Sequence, residues 1–180
     1  MTGSRKKRGY SLIEVLIAVA VTGFVLLTVV TLFFMGRRNV YSGKQMSYSV
    51  SVGTRMLEDL SALTAPELRS SFGIDNSTAL ATVTQDFPMP GTQYKKSYLL
   101  ETKNITAAND PQKYLTNWKA LIDGAALTNA NAGLVVTPLE VQDPNAPWTS
   151  AELMKVRVFI TWDESGRRRT AYFDTTKSNR

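Results

Sequence analysis

Hydrophobic and polar positions along this chain follow three successive regimes. From Val15 to Met35 the run is apolar without a single charge, and Glu14 stands just inside its start. From Val40 onward Met46, Val50, Gly53, Leu57 and Leu60 recur at spacings of four, three, four and three. That period puts them on one face of an amphipathic helix, with Lys44, Arg55 and Asp59 mostly on other faces. From Lys155 to Trp162 the pattern alternates, with Val156, Val158, Ile160 and Trp162 on one side and Arg157, Phe159 and Thr161 on the other. That is the period of a strand.

Length decides the meaning of the first regime. Leu12 to Met35 is 24 residues, roughly 36 Å as a helix, more than the roughly 30 Å hydrocarbon core of a bilayer. A secretory signal has a shorter apolar region, about 7–15 residues, followed by a small-residue cleavage site. Gly36-Arg37-Arg38 offers no such site. The sequence therefore predicts a membrane-spanning helix. The basic block Arg5-Lys6-Lys7-Arg8 abuts it and places the N-terminus in the cytoplasm. Arg37 and Arg38 argue more weakly for the reverse. The C-terminal portion is expected outside the cytoplasmic membrane.

The helix is expected to continue past the membrane. Pro66 marks an end near Thr64, so a helix from Tyr10 to Thr64 would run roughly 80 Å. Its first half would lie in lipid and its second half under a globular head. Gly36 and Gly43 are weak points for its straightness. In the head, Asp163-Glu164-Ser165-Gly166 forms a turn and Arg168 to Asp174 returns as a strand, giving a hairpin expected at the centre of an antiparallel sheet. Asp110-Pro111 reads as N-cap and first residue of a helix carrying Tyr114, Leu115, Trp118, Leu121 and Ile122 on one face, with Gly124 to end it. Short strands are expected at Leu134 to Thr137 and around Tyr98 to Leu100. The predicted fold class is α+β, a long N-terminal helix with an antiparallel sheet on its second half. The expected segments are 10–36 as transmembrane helix, 37–64 as its amphipathic continuation and 65–180 as the head.

At this point the N-terminus resembles a family. Gly9-Tyr10-Ser11-Leu12-Ile13-Glu14-Val15-Leu16-Ile17-Ala18, behind a basic leader at residues 1–9, is similar to the processing site of type IV prepilins and of the related pseudopilins of type II secretion. The resemblance implies cleavage by prepilin peptidase between Gly9 and Tyr10 on the cytoplasmic side, and N-methylation of Tyr10, where phenylalanine is commoner. It also implies that Glu14, fifth from the new N-terminus, neutralises the amino group of a neighbouring subunit as helices pack. Two opposite unit charges about 4 Å apart attract by roughly 4 kcal/mol at an effective dielectric near 20. Desolvation cancels part of that, so register and partner choice are its main use. The implied partners are the peptidase, other major and minor pilins, the pilus assembly platform and inner-membrane lipid. The implied location is the bacterial inner membrane, single-pass, and afterwards a periplasmic or cell-surface pilus. A looser resemblance, carried by Trp118, a short strand and Val-x-Val-x-Ile-x-Trp before a glycine turn, is to PilV-like minor pilins. A pseudopilin and a DNA-uptake minor pilin are the alternatives.

Composition narrows the chemistry. With no His and no Cys, the usual catalytic triads, thiol nucleophiles, disulfides and most transition-metal sites cannot be built. No enzymatic activity, metal or cofactor is expected. The net charge of +6 owes four cations to Arg5–Arg8, and the remainder holds 17 basic against 15 acidic residues. A general attraction to nucleic acid is therefore weak. Two local basic groups stay as candidates for nucleic-acid contact, Arg167-Arg168-Arg169 after the hairpin turn and Lys95-Lys96 between Tyr94 and Tyr98. A solvated turn and a charged strand edge explain them more simply.

Overall fold

The computed structural model describes residues 11–74, 85–86, 96–139 and 150–178. Among the described residues there are three helices, α1 (Leu12–Ser61), α2 (Ala65–Ser71) and α3 (Tyr114–Gly124), and five strands. The strands follow the order β1 (Gln85–Asp86), β2 (Lys96–Glu101), β3 (Asn131–Leu139), β4 (Leu153–Glu164) and β5 (Arg167–Ser178) in one antiparallel sheet. The chain divides into two compact units, residues 1–43 and 44–180.

In the first unit α1 passes through Gly23, Gly36 and Gly43 without interruption. No residue from Leu12 to Lys44 is buried. By length and composition α1 is able to cross a membrane. Thr22, Thr28 and Thr31 each return their hydroxyl to the carbonyl four residues back, at 2.8, 2.9 and 2.8 Å, so their polar groups are satisfied inside the helix.

In the second unit the remainder of α1 packs under the sheet. Val52, Met56 and Leu60 join Leu134, Val136, Val156, Val158 and Ile160 in one apolar cluster with Leu115, Trp118 and Phe72. Each such side chain, when fully buried, contributes about 1.5–3 kcal/mol. Gly53 is needed at its position because the Phe173 ring lies where a Cβ would stand. The buried stripe is Gln45, Ser49, Val52, Gly53, Met56 and Leu60. It shares Gly53 and Leu60 with the expected stripe but is turned by about one residue, leaving Met46 at 50% and Val50 at 41% exposure. Gly53, which has no side chain, is where the sheet comes close to α1.

The ends of these helices follow local rules. Thr64 and Glu67 make a reciprocal capping box at the start of α2, with Pro66 in its first turn. The Glu67 carboxyl is held below the ordinary carboxylate range by the Thr64 backbone N–H and hydroxyl. No basic residue stands in the last turn of α1, and Lys177 of β5 supplies the missing cation, donating to the Ser61 and Leu63 carbonyls at 2.9 and 2.8 Å.

α3 begins three residues later than the pair Asp110-Pro111 predicts. A turn intervenes, with Lys113 N–H bonded to the Asp110 carbonyl at 3.1 Å and Lys113 itself left-handed at φ 61°. Asp110 still caps the helix, its two carboxylate oxygens accepting the N–H groups of Leu115 and Thr116, each at 2.9 Å. Trp118 on this helix donates its indole N–H to Asp59 of α1 at 3.0 Å.

The hairpin forms as the alternation predicts, closed by Ser165-Gly166, both at positive φ. Its place is different. β5 is last in the strand order, so the hairpin ends the sheet instead of centring it. β3 and β4, paired over nine residues, form the middle of the sheet.

Candidate functional site

Gly9 and Tyr10 lie outside the described residues, as does Lys95. Glu14 sits in the first turn of α1, its backbone N–H bonded to the Ser11 carbonyl at 2.9 Å. A carboxylate there faces the positive end of the helix dipole. Its side chain is exposed and has no ion-pair partner among the described residues. Val15, Ala18, Val19, Thr22, Gly23 and Leu26 share the face it occupies and line a shallow groove along the helix. Nothing lies within 4 Å of the position a Cβ would take at Gly23. An ionisable group at the edge of a charge-free apolar stretch such as Val15 to Met35 needs a cation or an aqueous boundary to offset its desolvation.

The basic candidates do not converge. Arg167, Arg168 and Arg169 open β5, whereas Lys96 belongs to β2, three strands away. By register Lys96 stands level with Lys177 rather than with Arg169, eight residues off or roughly 26 Å along the strand. Two of the arginines are also engaged. Arg168 donates to Asp163 at 3.1 Å, to the Thr161 hydroxyl at 2.6 Å and to the Asn129 carbonyl at 2.8 Å. Arg169 pairs with Glu164 at 3.0 Å. Hydrogen bonds from Asn129 and then Arg168 hold the Asp163 carboxyl below its ordinary range.

Sequence reasoning missed the sheet face opposite the helices. There Arg157 makes a bidentate pair with Asp174 at 2.7 and 2.8 Å and lies 4.9 Å from the centre of the Tyr172 ring. Hydrogen bonding to Asp174 raises the Arg157 pKa, and the same bond lowers that of Asp174. The available signal was the strand register, which neither composition nor local period discloses. Among the described residues no group of three or more His, Cys, Asp or Glu side chains is placed to hold a metal ion.

Residues 4–30 match the family model of the prokaryotic N-terminal methylation motif. No protein of curated function and no solved structure matches the chain. The motif, the long apolar α1 and the antiparallel sheet packed on its later part have the architecture of pilins and support a type IV pilin-like protein processed by prepilin peptidase. They also fit anchoring in the inner membrane. Pilins are structural, non-enzymatic subunits, and the motif implies pilin assembly partners.

Proposed function

We infer that this chain is a minor type IV pilin, a structural subunit that takes part in pilus assembly or initiation. Its N-terminus lies in the cytoplasm, prepilin peptidase cuts between Gly9 and Tyr10, and Tyr10 is N-methylated. The head then stands in the periplasm or on the cell surface. The observation that carries the reading is the motif at residues 4–30 continuing into a helix with no buried residue as far as Lys44. Such a helix is satisfied only by lipid and by other helices. Glu14 is the group that selects among those neighbours, pairing with the α-amino group that cleavage creates at Tyr10 of an adjoining subunit. The order of α3 with Trp118, β3 and the β4–β5 hairpin is what favours a minor over a major subunit in this reading, and a type II secretion pseudopilin stays the alternative. The engagement of Arg168 and Arg169 by carboxylates weighs against a DNA-uptake subunit.

Two measurements test this. Mass spectrometry of protein recovered from a host with its own peptidase should find an N-methylated Tyr10 end. An intact Met1 end would refute the processing step. Glu14→Ala should insert and be cleaved normally, yet its recovery in sheared filaments should fall at least about tenfold, the effect of losing roughly 1.4 kcal/mol of pairing. Normal recovery of that variant would remove the role given to Glu14.

A further inference from the structure

Charges are few among the described residues of the first unit. Glu14 stands at one end of the apolar run, Arg37 and Arg38 follow its other end, and no carboxylate occurs between Glu14 and Glu58. Both arginines are exposed, and neither has an ion-pair or hydrogen-bond partner among the described residues. Tyr41 is 55% exposed and follows Arg37 by four residues and Arg38 by three. That spacing makes it a neighbour of both on the helix surface.

Depth follows from length. The charge-free run Val15 to Met35 is 21 residues, roughly 32 Å as a helix, close to the roughly 30 Å hydrocarbon core of a bilayer. With that run in the core, Arg37 and Arg38 stand roughly 3–5 Å past its end. That is inside a headgroup layer roughly 5–7 Å thick. Tyr41 follows at the outer margin of the layer, where tyrosine is enriched. The charge bias that puts the N-terminus in the cytoplasm counts both arginines against that orientation. Two unpaired cations on the far side of the membrane need a counter-charge there.

We propose that Arg37, Arg38 and Tyr41 form a site for the headgroup of an anionic phospholipid. A guanidinium is a planar fork of donors that fits a phosphate, and the Tyr41 hydroxyl donates from the neighbouring turn. The helix holds these groups at phosphate depth, which gives a lipid headgroup a high effective concentration. A free anion has no such advantage, and a nucleic acid gains little from two cations. Two arginines beside an anionic surface favour it over a neutral one by about thirtyfold at low ionic strength. The proposal rests on the reading of α1 as membrane-spanning, and not on cleavage or filament assembly.

The test is site-specific fluorescence quenching with the full chain in phosphatidylcholine nanodiscs. The chain has no cysteine, so Ser42→Cys takes a single bimane label beside the site. The quenchers are phosphatidylglycerol and phosphatidylcholine, each with a nitroxide on the acyl chain next to the glycerol. Titrating their fraction should give phosphatidylglycerol an affinity about thirtyfold above phosphatidylcholine. Arg37→Gln should lower that preference about fivefold, and Arg37→Gln with Arg38→Gln should abolish it. Arg55→Gln, in the second unit, should leave it unchanged, and far-UV circular dichroism checks that each variant keeps its helix. Equal quenching by the two lipids, or a preference that survives the double variant, would overturn the proposal. So would its loss to millimolar inorganic phosphate at constant ionic strength, which would make this a site for the free anion. Quenching by neither lipid would show that α1 does not span, and the membrane-spanning reading would fall with the proposal.

Discussion

Residues 12–43 and 44–61 of α1 make an instructive pair. The first stretch is the more apolar by far and buries nothing, while the second is mixed and buries Gln45, Ser49, Val52, Gly53, Met56 and Leu60. Apolar content therefore does not measure burial inside one subunit. The first stretch carries its apolar surface on every side, which suits lipid or a bundle of helices. The second carries a stripe matched to one sheet, and its composition is set by how closely that sheet approaches. A variant in the second stretch or the sheet should change the stability of the head. A variant in the first should change contacts with lipid and other helices instead.

The largest effect on stability is expected at Gly133. A methyl there meets backbone, the Leu100 carbonyl, as well as the Phe159 ring. Backbone in a paired strand cannot move aside, so Gly133→Ala should cost the head about 3 kcal/mol. Thermal unfolding of the detergent-solubilised chain, followed by tryptophan fluorescence, measures it. An unchanged midpoint would mean that β2 and β3 are not packed as described.

Gln45 offers a change of opposite sign. Its amide is buried at 2% exposure, and neither its nitrogen nor its oxygen has a hydrogen-bond partner. Gln45→Leu removes that unmet polarity and should stabilise the head by about 1–2 kcal/mol. Met46→Ala, on the exposed side, should stay within about 0.5 kcal/mol. The reverse result, with Met46 costly and Gln45 neutral, would restore the helix face that periodicity predicts.

These positions show how far the sequence is legible. The membrane-length helix is readable because lipid imposes a length and forbids charge. The β4–β5 hairpin is readable because one face of β4 is uniformly apolar and Ser165-Gly166 suits a two-residue turn. The orientation of the helix under the sheet is not, since Met46 and Val50 are more apolar than Gln45 and Ser49, and only the sheet's proximity to Gly53 decides. The capping box at Thr64 was legible, since threonine followed three residues later by glutamate is its signature, but Pro66 suggests only an ending. At the N-terminus the processing motif is readable whole, because Gly9, Tyr10 and Glu14 are adjacent in sequence. The outer face of the sheet is not, because it is assembled from four strands whose register no local pattern encodes.

The Arg157–Asp174 pair gives a smaller, pH-dependent effect. Asp174 has its pKa lowered in the folded chain, first by the hydrogen bond from Arg157. Its contribution is therefore complete above the ordinary carboxylate pKa and is lost as pH falls through the lower folded value. Asp174→Asn should cost about 1 kcal/mol at neutral pH after allowance for solvent screening. Stability measured from pH 7 downward should bring wild type and variant together only below the ordinary carboxylate range. Curves that stay parallel to the most acidic point would show that the pair adds nothing through ionisation.

The smallest effect on the fold, and the sharpest test of the comparison, is expected at Gly23. Nothing lies within 4 Å of its missing Cβ, in contrast to Gly53, which Phe173 crowds. Gly23→Leu should leave the unfolding midpoint of the head unmoved, because the head draws no packing from that residue. Gly23 lies on the face that also carries Glu14, Ala18 and Thr22, and small residues let helices approach closely in an apolar medium. On the filament reading, a leucine there should lower recovery in sheared filaments severalfold while insertion and cleavage continue. Unchanged recovery would turn that face toward lipid, and Glu14 would then have to meet its cation from the helix end alone. A lowered unfolding midpoint would be more damaging, since it would show that the apolar stretch and the head are not energetically separate.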